Sequence, residues 1–223
     1  MELAELIEPR HTAVIVSEMQ RAIAGDLVSP AMSGLAEAVT SSGIVASLAR
    51  LTEGARQAEA KVVHATLQFR PDRAGVRIVT PLMAVTMRDP DYLLVGSDQA
   101  QILPELGPAD TDIVAARTHG MSAFTGTDLD MILRSLDIKT LIIGGVSLNE
   151  AIIGASIEAV NLGYRIVIAR DAALGLPASF GEDMLRYAFA LLGKVTTTDD
   201  ILEVWAAKDP GATARHDALG AVG

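Results

Sequence analysis

Short β-branched runs alternate with long amphipathic stretches along this chain, and this alternation constrains the fold more than any other feature of the sequence. The runs are too apolar for half-exposed strands, so they indicate strands buried on both faces. Five strands are predicted: Thr12 to Ser17, Lys61 to Thr66, Asp112 to Ala116, Thr140 to Ile143 and Arg165 to Ala169. Four stretches between or after them have apolar residues at helical spacing: Gly43 to Ala60, Asp128 to Leu136, Glu150 to Leu162 and Phe180 to Leu192. The βαβα order predicts a parallel sheet covered by helices on both faces.

Further segments complete the predicted organisation. A short sixth strand near Val195 to Thr197 and a helix from about Asp199 to Ala206 would close one domain over residues 1–208. The segment from Arg70 to Pro108 breaks the rhythm with prolines and charges and is too long for an ordinary connection. We expect it to wrap over a site or a partner subunit. Residues 209–223 have no apolar periodicity, so we expect a disordered C-terminal tail.

Composition limits the classes of function. With 223 residues and 50% hydrophobic residues, the chain can bury a large aliphatic core in a single domain. A formal net charge of -10 argues against nucleic acid and anionic membranes as partners. The acidic start, Met1 to Glu5, and the lack of an apolar run of roughly 18 residues predict a cytoplasmic protein without a secretion signal. Because the chain contains no cysteine, disulfides, thiolate metal sites and thiol catalysis are excluded.

Ligands of parallel sheets bind beyond the carboxyl ends of the strands. Four predicted strand ends should therefore converge: Ser17 to Gln20, His64 to Thr66, Arg117 to His119 and Gly144 to Ser147. The glycine pair at 144–145 lacks the glycine and lysine spacing of a dinucleotide fingerprint or a phosphate loop. We expect no nucleotide, and no other cofactor.

Five motifs follow one another along the chain: Thr12 to Gln20, Ser122 to Leu129, Leu141 to Asn149, Glu158 to Tyr164 and Arg170 to Ala173. Together they resemble the isochorismatase-like hydrolase superfamily, and the resemblance covers nearly all of the chain before the tail. It implies a Rossmann-like three-layer α/β/α sandwich with a six-stranded parallel sheet. Many members of that superfamily are dimers or tetramers, so we expect a homo-oligomer that acts on a small molecule.

The resemblance also implies a site from which this chain departs. Most members are amidohydrolases with an Asp, Lys and Cys triad, while the isochorismatases proper can lack the Cys and protonate a vinyl ether with the Asp. Here Glu18 stands at the Asp position and Ala151 at the Cys position. Thr118 falls at the Lys position without a gap, whereas Arg117 fits after a one-residue insertion, and both alternatives stay open.

Glu18, Arg117 and His119 are the predicted catalytic residues. At the end of a buried strand, Glu18 can act as a proton donor or a base, or it can be satisfied by a neighbouring cation or helix terminus. A free Arg117 would bind a substrate anion bidentately, whereas pairing with Glu18 would weaken acid catalysis. It can equally form a surface ion pair. His119 can shuttle protons or form a polar wall of the site.

A second set of residues is predicted to bind substrate. It comprises Gln20, His64, Phe124, Val146, Ser147, Asn149 and Ala151. In the superfamily, the turn corresponding to Val146 and Ser147 contains a non-proline cis peptide that orients backbone N–H groups toward substrate, and the resemblance implies the same here. Ser147 and Ser122 qualify as nucleophiles only with a base at hydrogen-bonding distance. Where the nicotinamidase branch binds metal, this chain has His64 to Phe69, without a metal-binding cluster.

Three hypotheses of function follow. In the first, Glu18 supplies a proton, Arg117 and His119 orient an anionic or polar substrate, and water attacks without a covalent intermediate, as in vinyl-ether hydrolysis. In the second, the chain is a catalytically inactive family member that binds a small ligand or serves as an assembly subunit. The third, a thiol amidohydrolase, requires that Ala151 is an engineered replacement of a natural Cys.

Overall fold

Six strands form the sheet in the computed structural model, which describes residues 1–208. They are β1 (Thr12–Ser17), β2 (Lys61–Leu67), β3 (Ile113–Arg117), β4 (Thr140–Val146), β5 (Arg165–Leu174) and β6 (Lys194–Thr196). All neighbouring strands are parallel, in the order β3-β2-β1-β4-β5-β6. The predicted six-stranded parallel sheet is confirmed. The expected disordered tail, residues 209–223, lies outside the described residues.

Helices cover both faces of this sheet. They are α1 (Leu3–Leu6), α2 (Arg21–Ala24), α3 (Ser33–Ser42), α4 (Ile44–Gln57), α5 (Pro81–Thr86), α6 (Leu129–Ser135), α7 (Ile153–Asn161), α8 (Ala178–Met184), α9 (Ala190–Leu192) and α10 (Thr198–Lys208). Two π-helical turns, Leu148–Ile152 and Leu185–Phe189, adjoin α7 and α8. No helix within residues 1–208 is long and apolar enough to cross a membrane.

The central strands are apolar on both sides because each side packs against a helical layer. In β1, Val14 and Val16 point into one hydrophobic cluster, whereas Ala13 and Ile15 point into the other. The first cluster includes residues of α4 and α10, and the second includes residues of α6 and α7. Leu48 of α4 is fully buried, and a side chain of this size contributes about 1.5–3 kcal/mol when it leaves water. The three-layer sandwich follows from this double burial.

The segment from Arg70 to Pro108, expected to wrap over a site or a partner subunit, packs beside the carboxyl edge of the sheet. Between β2 and β3 the chain forms α5 and several short turns, and it buries Tyr92, Leu93 and Leu103 against the rest of the molecule. The backbone N–H of Leu103 donates to the carbonyl of Met19 (2.9 Å), which fixes the segment next to the end of β1. The segment therefore helps to build the carboxyl edge of the sheet, where a ligand is expected.

Candidate functional site

A pocket opens at the carboxyl edge of the sheet. The strand order reverses at this edge between β1 and β4, which is where ligands of open parallel sheets bind. The polar lining consists of Glu18, Thr86, Arg117, His119, Ser147 and Glu150. The apolar lining includes Ile23, Leu35, Leu67, Phe69, Met83 and Tyr92. Four strand ends converge here as predicted, although β2 contributes Leu67 and Phe69 rather than His64.

Glu18 enters the pocket from a strained position directly after β1. Its φ of 52° is in the left-handed region, which non-glycine residues adopt at a cost of roughly 1–2 kcal/mol. Its backbone N–H donates to the carbonyl of Ala65 (2.9 Å), and its carbonyl accepts from the N–H of Gln20 (2.8 Å). These bonds hold the turn at the pocket wall. Strain of this kind at a pocket is a marker of functional residues.

Glu18 and Arg117 form an ion pair in the pocket wall. Nη2 of Arg117 donates to Oε1 of Glu18, and Nε of Arg117 donates to the carbonyl of Gly120 at 3.1 Å. The Arg117 side chain is 2% exposed and the Glu18 side chain is 13% exposed. The sequence left open whether these groups pair or face the pocket separately, and the structure shows the pair. Two of the five N–H groups of the guanidinium are therefore engaged, and the neighbouring carboxylate disfavours the predicted binding of a substrate anion.

Arg117 and Thr118, the two alternatives for the family's Lys position, lie differently relative to the pocket. Arg117 ends β3, lines the pocket and contacts Glu18. Thr118 is not among the described residues that line the pocket, and its side chain lies beside Gly75. Arg117 is thus the residue that supplies positive charge beside Glu18.

The turn after β4 supplies the opposite wall. It contains a cis peptide bond between Val146 and Ser147, as the resemblance implies. The Ser17 hydroxyl donates to the carbonyl of Val146 (2.8 Å). Gly145 has a φ of 105° and packs so closely on β1 that a Cβ atom would collide with the Ser17 carbonyl. These contacts lock the ends of β1 and β4 together at the pocket.

Glu150 lines the pocket, and the sequence analysis did not single it out. It lies next to Ala151 in the π-helical turn Leu148–Ile152. Burial raises the pKa of Glu150 above its ordinary value, and the nearby charge of Glu18 raises it further. The pocket thus holds one carboxylate paired with an arginine and a second carboxyl that keeps its proton to higher pH.

Two further residues with polar groups, His119 and Tyr92, line the same pocket. Nδ1 of His119 is buried and has no hydrogen-bond partner in the part of the chain that the structure describes. Burial, and then the charge of Glu18, raises the pKa of Tyr92, so its hydroxyl stays protonated. His119 lines the pocket, and an unsatisfied buried polar atom such as its Nδ1 costs about 1–3 kcal/mol.

Several predicted substrate-binding residues have structural roles outside the pocket. The Gln20 amide donates to the carbonyls of Leu67 (2.9 Å) and Ala100 (2.8 Å), and its oxygen accepts from the Leu67 N–H (2.7 Å). Oδ1 of Asn149 accepts from the N–H of Leu176 at 3.1 Å. Phe124 stacks on a tyrosine with ring centroids 5.9 Å apart, and Val146 is fully buried. Among the seven residues predicted to bind substrate, the pocket is lined by Ser147 and Ala151.

His64 is also outside the pocket, because β2 continues to Leu67 and leaves His64 in mid-strand. Its Nε2 lies 3.1 Å from Oδ2 of Asp112, which accepts from Arg56 at 2.7 Å. The His64 side chain is 1% exposed, and burial lowers its pKa despite the opposing effect of Asp112. This cluster joins α4, β2 and the start of β3. Within residues 1–208, no three His, Cys, Asp or Glu side chains form a group that could hold a metal ion.

The fold and the site together define a class: a parallel α/β protein whose pocket, at the reversal of strand order, holds acid and base side chains. A family model described as Isochorismatase domain matches residues 12–200. Because this match covers most of the chain, the protein belongs to the isochorismatase family. The chain has no cysteine with which to form the thiol nucleophile of the family's amidohydrolases.

Individual relatives show how far the similarity extends. An uncharacterized isochorismatase family protein of Bacillus subtilis, YwoC, is 35% identical over 107 residues, which cover 48% of this chain and 56% of that protein. The chain thus spans little more than half the length of this relative. The ureidoacrylate amidohydrolase RutB of Agrobacterium fabrum is 26% identical over 89% of this chain and 91% of its own. A cysteine hydrolase from Pseudomonas syringae has the same fold, with a TM-score of 0.77 and 22% identity over 91% of this chain and 95% of its own.

Proposed function

We propose that this protein is a hydrolase of small molecules in which water attacks the substrate directly. The observation that carries the proposal is the presence of two differently held carboxyl groups, Glu18 and Glu150, in one pocket. Environments that separate the protonation of two neighbouring carboxyl groups are typical of an acid–base pair. Similarity to proteins named amidohydrolases supports the hydrolytic class.

The roles differ from those expected from the sequence. An ion pair with a guanidinium requires the ionised carboxylate, so Glu18 takes a proton from water instead of supplying one. Glu150, with its raised pKa, gives its proton to the leaving group as the bond to that group breaks. The water oxygen bonds to the substrate carbon, and the proton on Glu18 returns to Glu150 through solvent. Arg117 positions Glu18, and His119 contacts the polar part of the substrate.

Glu18 and Glu150 can together hydrolyse more than one kind of bond. For an amide or ester, Glu150 protonates the departing nitrogen or oxygen. For a vinyl ether, Glu150 protonates the terminal carbon, and water adds to the oxocarbenium ion while Glu18 takes its proton. The hemiketal that forms then breaks its bond to the alkoxy oxygen, which takes the proton from Glu18 and leaves as an alcohol, while the hemiketal hydroxyl loses its proton to give the carbonyl product and, through solvent, to restore Glu150. Neither reaction requires a thiol, so both are compatible with Ala151. An engineered loss of Cys at that position is not needed to explain the site.

The experiment measures the rate at which the unaltered chain hydrolyses a panel of compounds. The panel comprises ureidoacrylate, maleamate, N-carbamoylsarcosine, isochorismate and small neutral amides and esters. Glu150→Gln and Glu18→Gln should each lower kcat at least 100-fold on any compound that turns over, as expected for loss of an acid or a base. Glu182→Gln is the matched control, because Glu182 pairs with Arg170 on the exposed surface. Equal turnover by all three variants would contradict the assigned roles.

A catalytically inactive, ligand-binding member of the family is the second candidate. The favouring observation is that Glu18 and Arg117 satisfy each other inside the pocket wall, which is how structural ion pairs behave. Binding without turnover of any compound in the panel would favour this candidate. A homo-oligomer and a cytoplasmic location stay predictions, and light scattering of the purified protein tests the first.

A further inference from the structure

The charges that face the pocket restrict what it can bind. Among the described residues that line it, Arg117 is the one arginine or lysine, and two carboxyl groups, Glu18 and Glu150, line the same pocket. Its Nη2 is bonded to Glu18 and its Nε to the Gly120 carbonyl. A ligand carboxylate that approached the guanidinium would also approach the Glu18 carboxylate. Like charges in a desolvated site repel strongly, so the pocket penalises an anion.

Most of the remaining side chains of the pocket wall are apolar and favour the binding of apolar parts of a ligand. Ile23 and Leu35 come from the region of α2 and α3, whereas Leu82, Met83 and Tyr92 come from the irregular segment between β2 and β3. Each apolar group of a ligand that covers these side chains gains free energy in proportion to the area removed from water. The hydroxyl of Tyr92, held protonated by burial, can donate a hydrogen bond to an uncharged polar group in the pocket.

We infer that the substrate of this pocket is an electrically neutral molecule with an apolar body and one amide- or ester-type group, and not a carboxylate. The inference rests on the proposed function in that it uses the same pocket. It departs from the expectation, drawn from the sequence, that Arg117 binds a substrate anion. It also predicts weak binding of anionic compounds such as isochorismate.

Equilibrium binding tests the inference independently of turnover. The probes are 3-phenylpropionamide and 3-phenylpropionate, which have the same apolar body and differ in the charge of the head group. Calorimetric titration at pH 8, where histidines are ordinarily neutral, should give at least tenfold tighter binding of the amide. Equal binding of the two probes, tighter binding of the carboxylate, or no binding of the amide would each overturn the inference.

A variant tests the cause of this preference. Glu18→Gln removes the charge that occupies Arg117, so the carboxylate should gain at least tenfold in affinity relative to the amide. Glu182→Gln, which removes the carboxylate partner of Arg170 outside the pocket, should leave the ratio unchanged. An unchanged ratio in folded Glu18→Gln would contradict the assigned cause. Because the comparison of the two probes on the unaltered chain needs no variant, it stays decisive if Glu18→Gln does not fold. Failure of the proposed function would appear separately, as absent turnover with the amide still bound.

Discussion

Removal of one partner of the Glu18–Arg117 pair should destabilise the fold far more than removal of a partner from a surface pair. Glu18→Gln leaves the Arg117 guanidinium, with its side chain 2% exposed, without its carboxylate. Breaking a buried pair in this way costs about 3–5 kcal/mol. Since Glu18 lines an open pocket and is 13% exposed, water can replace part of the lost interaction, and we expect the lower end, about 3 kcal/mol.

The matched control is Glu182→Gln. Arg170 and Glu182 form a similar contact at 2.7 Å, but their side chains are 49% and 63% exposed. An exposed pair of this kind contributes about 0–1 kcal/mol. The difference of about 2–3 kcal/mol between the two variants isolates the effect of burial, because the chemical substitution is the same.

The assay is urea unfolding at pH 7.5, followed by circular dichroism, with the free energy of unfolding extrapolated to water. A third variant, Glu18→Gln with Arg117→Met, removes both charges and should recover most of the loss, because no uncompensated charge remains. The reasoning is refuted if Glu18→Gln is destabilised by no more than Glu182→Gln. It is also refuted if the double variant is less stable than Glu18→Gln alone.

Three further predictions test other parts of the fold. Burial lowers the pKa of His64, so the unfolded chain binds a proton at this histidine at a higher pH than the folded chain does, and the free energy of unfolding falls as the pH drops below about 6.5. His64→Asn should reduce the change in urea midpoint between pH 7.5 and pH 5.5. An unaltered change would contradict this. Gly145→Ala should destabilise by about 3 kcal/mol or prevent folding, because its Cβ meets the Ser17 carbonyl at a positive φ; a soluble variant with an unchanged urea midpoint would contradict it. Trp205→Phe removes the bond from Nε1 to the Ile7 carbonyl (2.9 Å) and should lower the free energy of unfolding by about 1–3 kcal/mol.

The strands could be predicted from the sequence because burial on both faces leaves a simple apolar signal. Their ends could not, since other contacts determine them. β4 continues past the predicted end at Ile143 because Gly145 packs on β1 where no side chain would fit. β5 continues past Ala169 through charged residues, one of which, Asp171, accepts from the backbone N–H of Thr198 (2.7 Å). The local pattern of apolar residues contains no information about the contact of Gly145 with β1 or that of Asp171 with Thr198.

The candidate site was predictable to the extent that strand ends converge in any parallel sheet. This rule placed Glu18, Arg117, His119 and Ser147 at one edge, and all four line the pocket. The pairing of Glu18 with Arg117 was not predictable, because the two residues are 99 positions apart and their side-chain directions depend on the finished sheet. The apolar wall from the segment between β2 and β3 was hidden for a different reason: this segment has no periodicity that would reveal which side chains point inward.

Glu150 was not predicted to be a site residue because the sequence pattern predicts a regular helix from that residue onward. The structure instead forms a π-helical turn over Leu148–Ile152, and α7 begins at Ile153. Turns of this kind occur frequently at functional sites, since the extra residue changes which side chains face a cavity. The resemblance to the superfamily implies that the position of Ala151, within this turn, is the one where most members have a Cys. Here the neighbouring position, Glu150, holds a carboxyl group whose pKa is raised by burial, and the proposed mechanism assigns the proton donor to this turn.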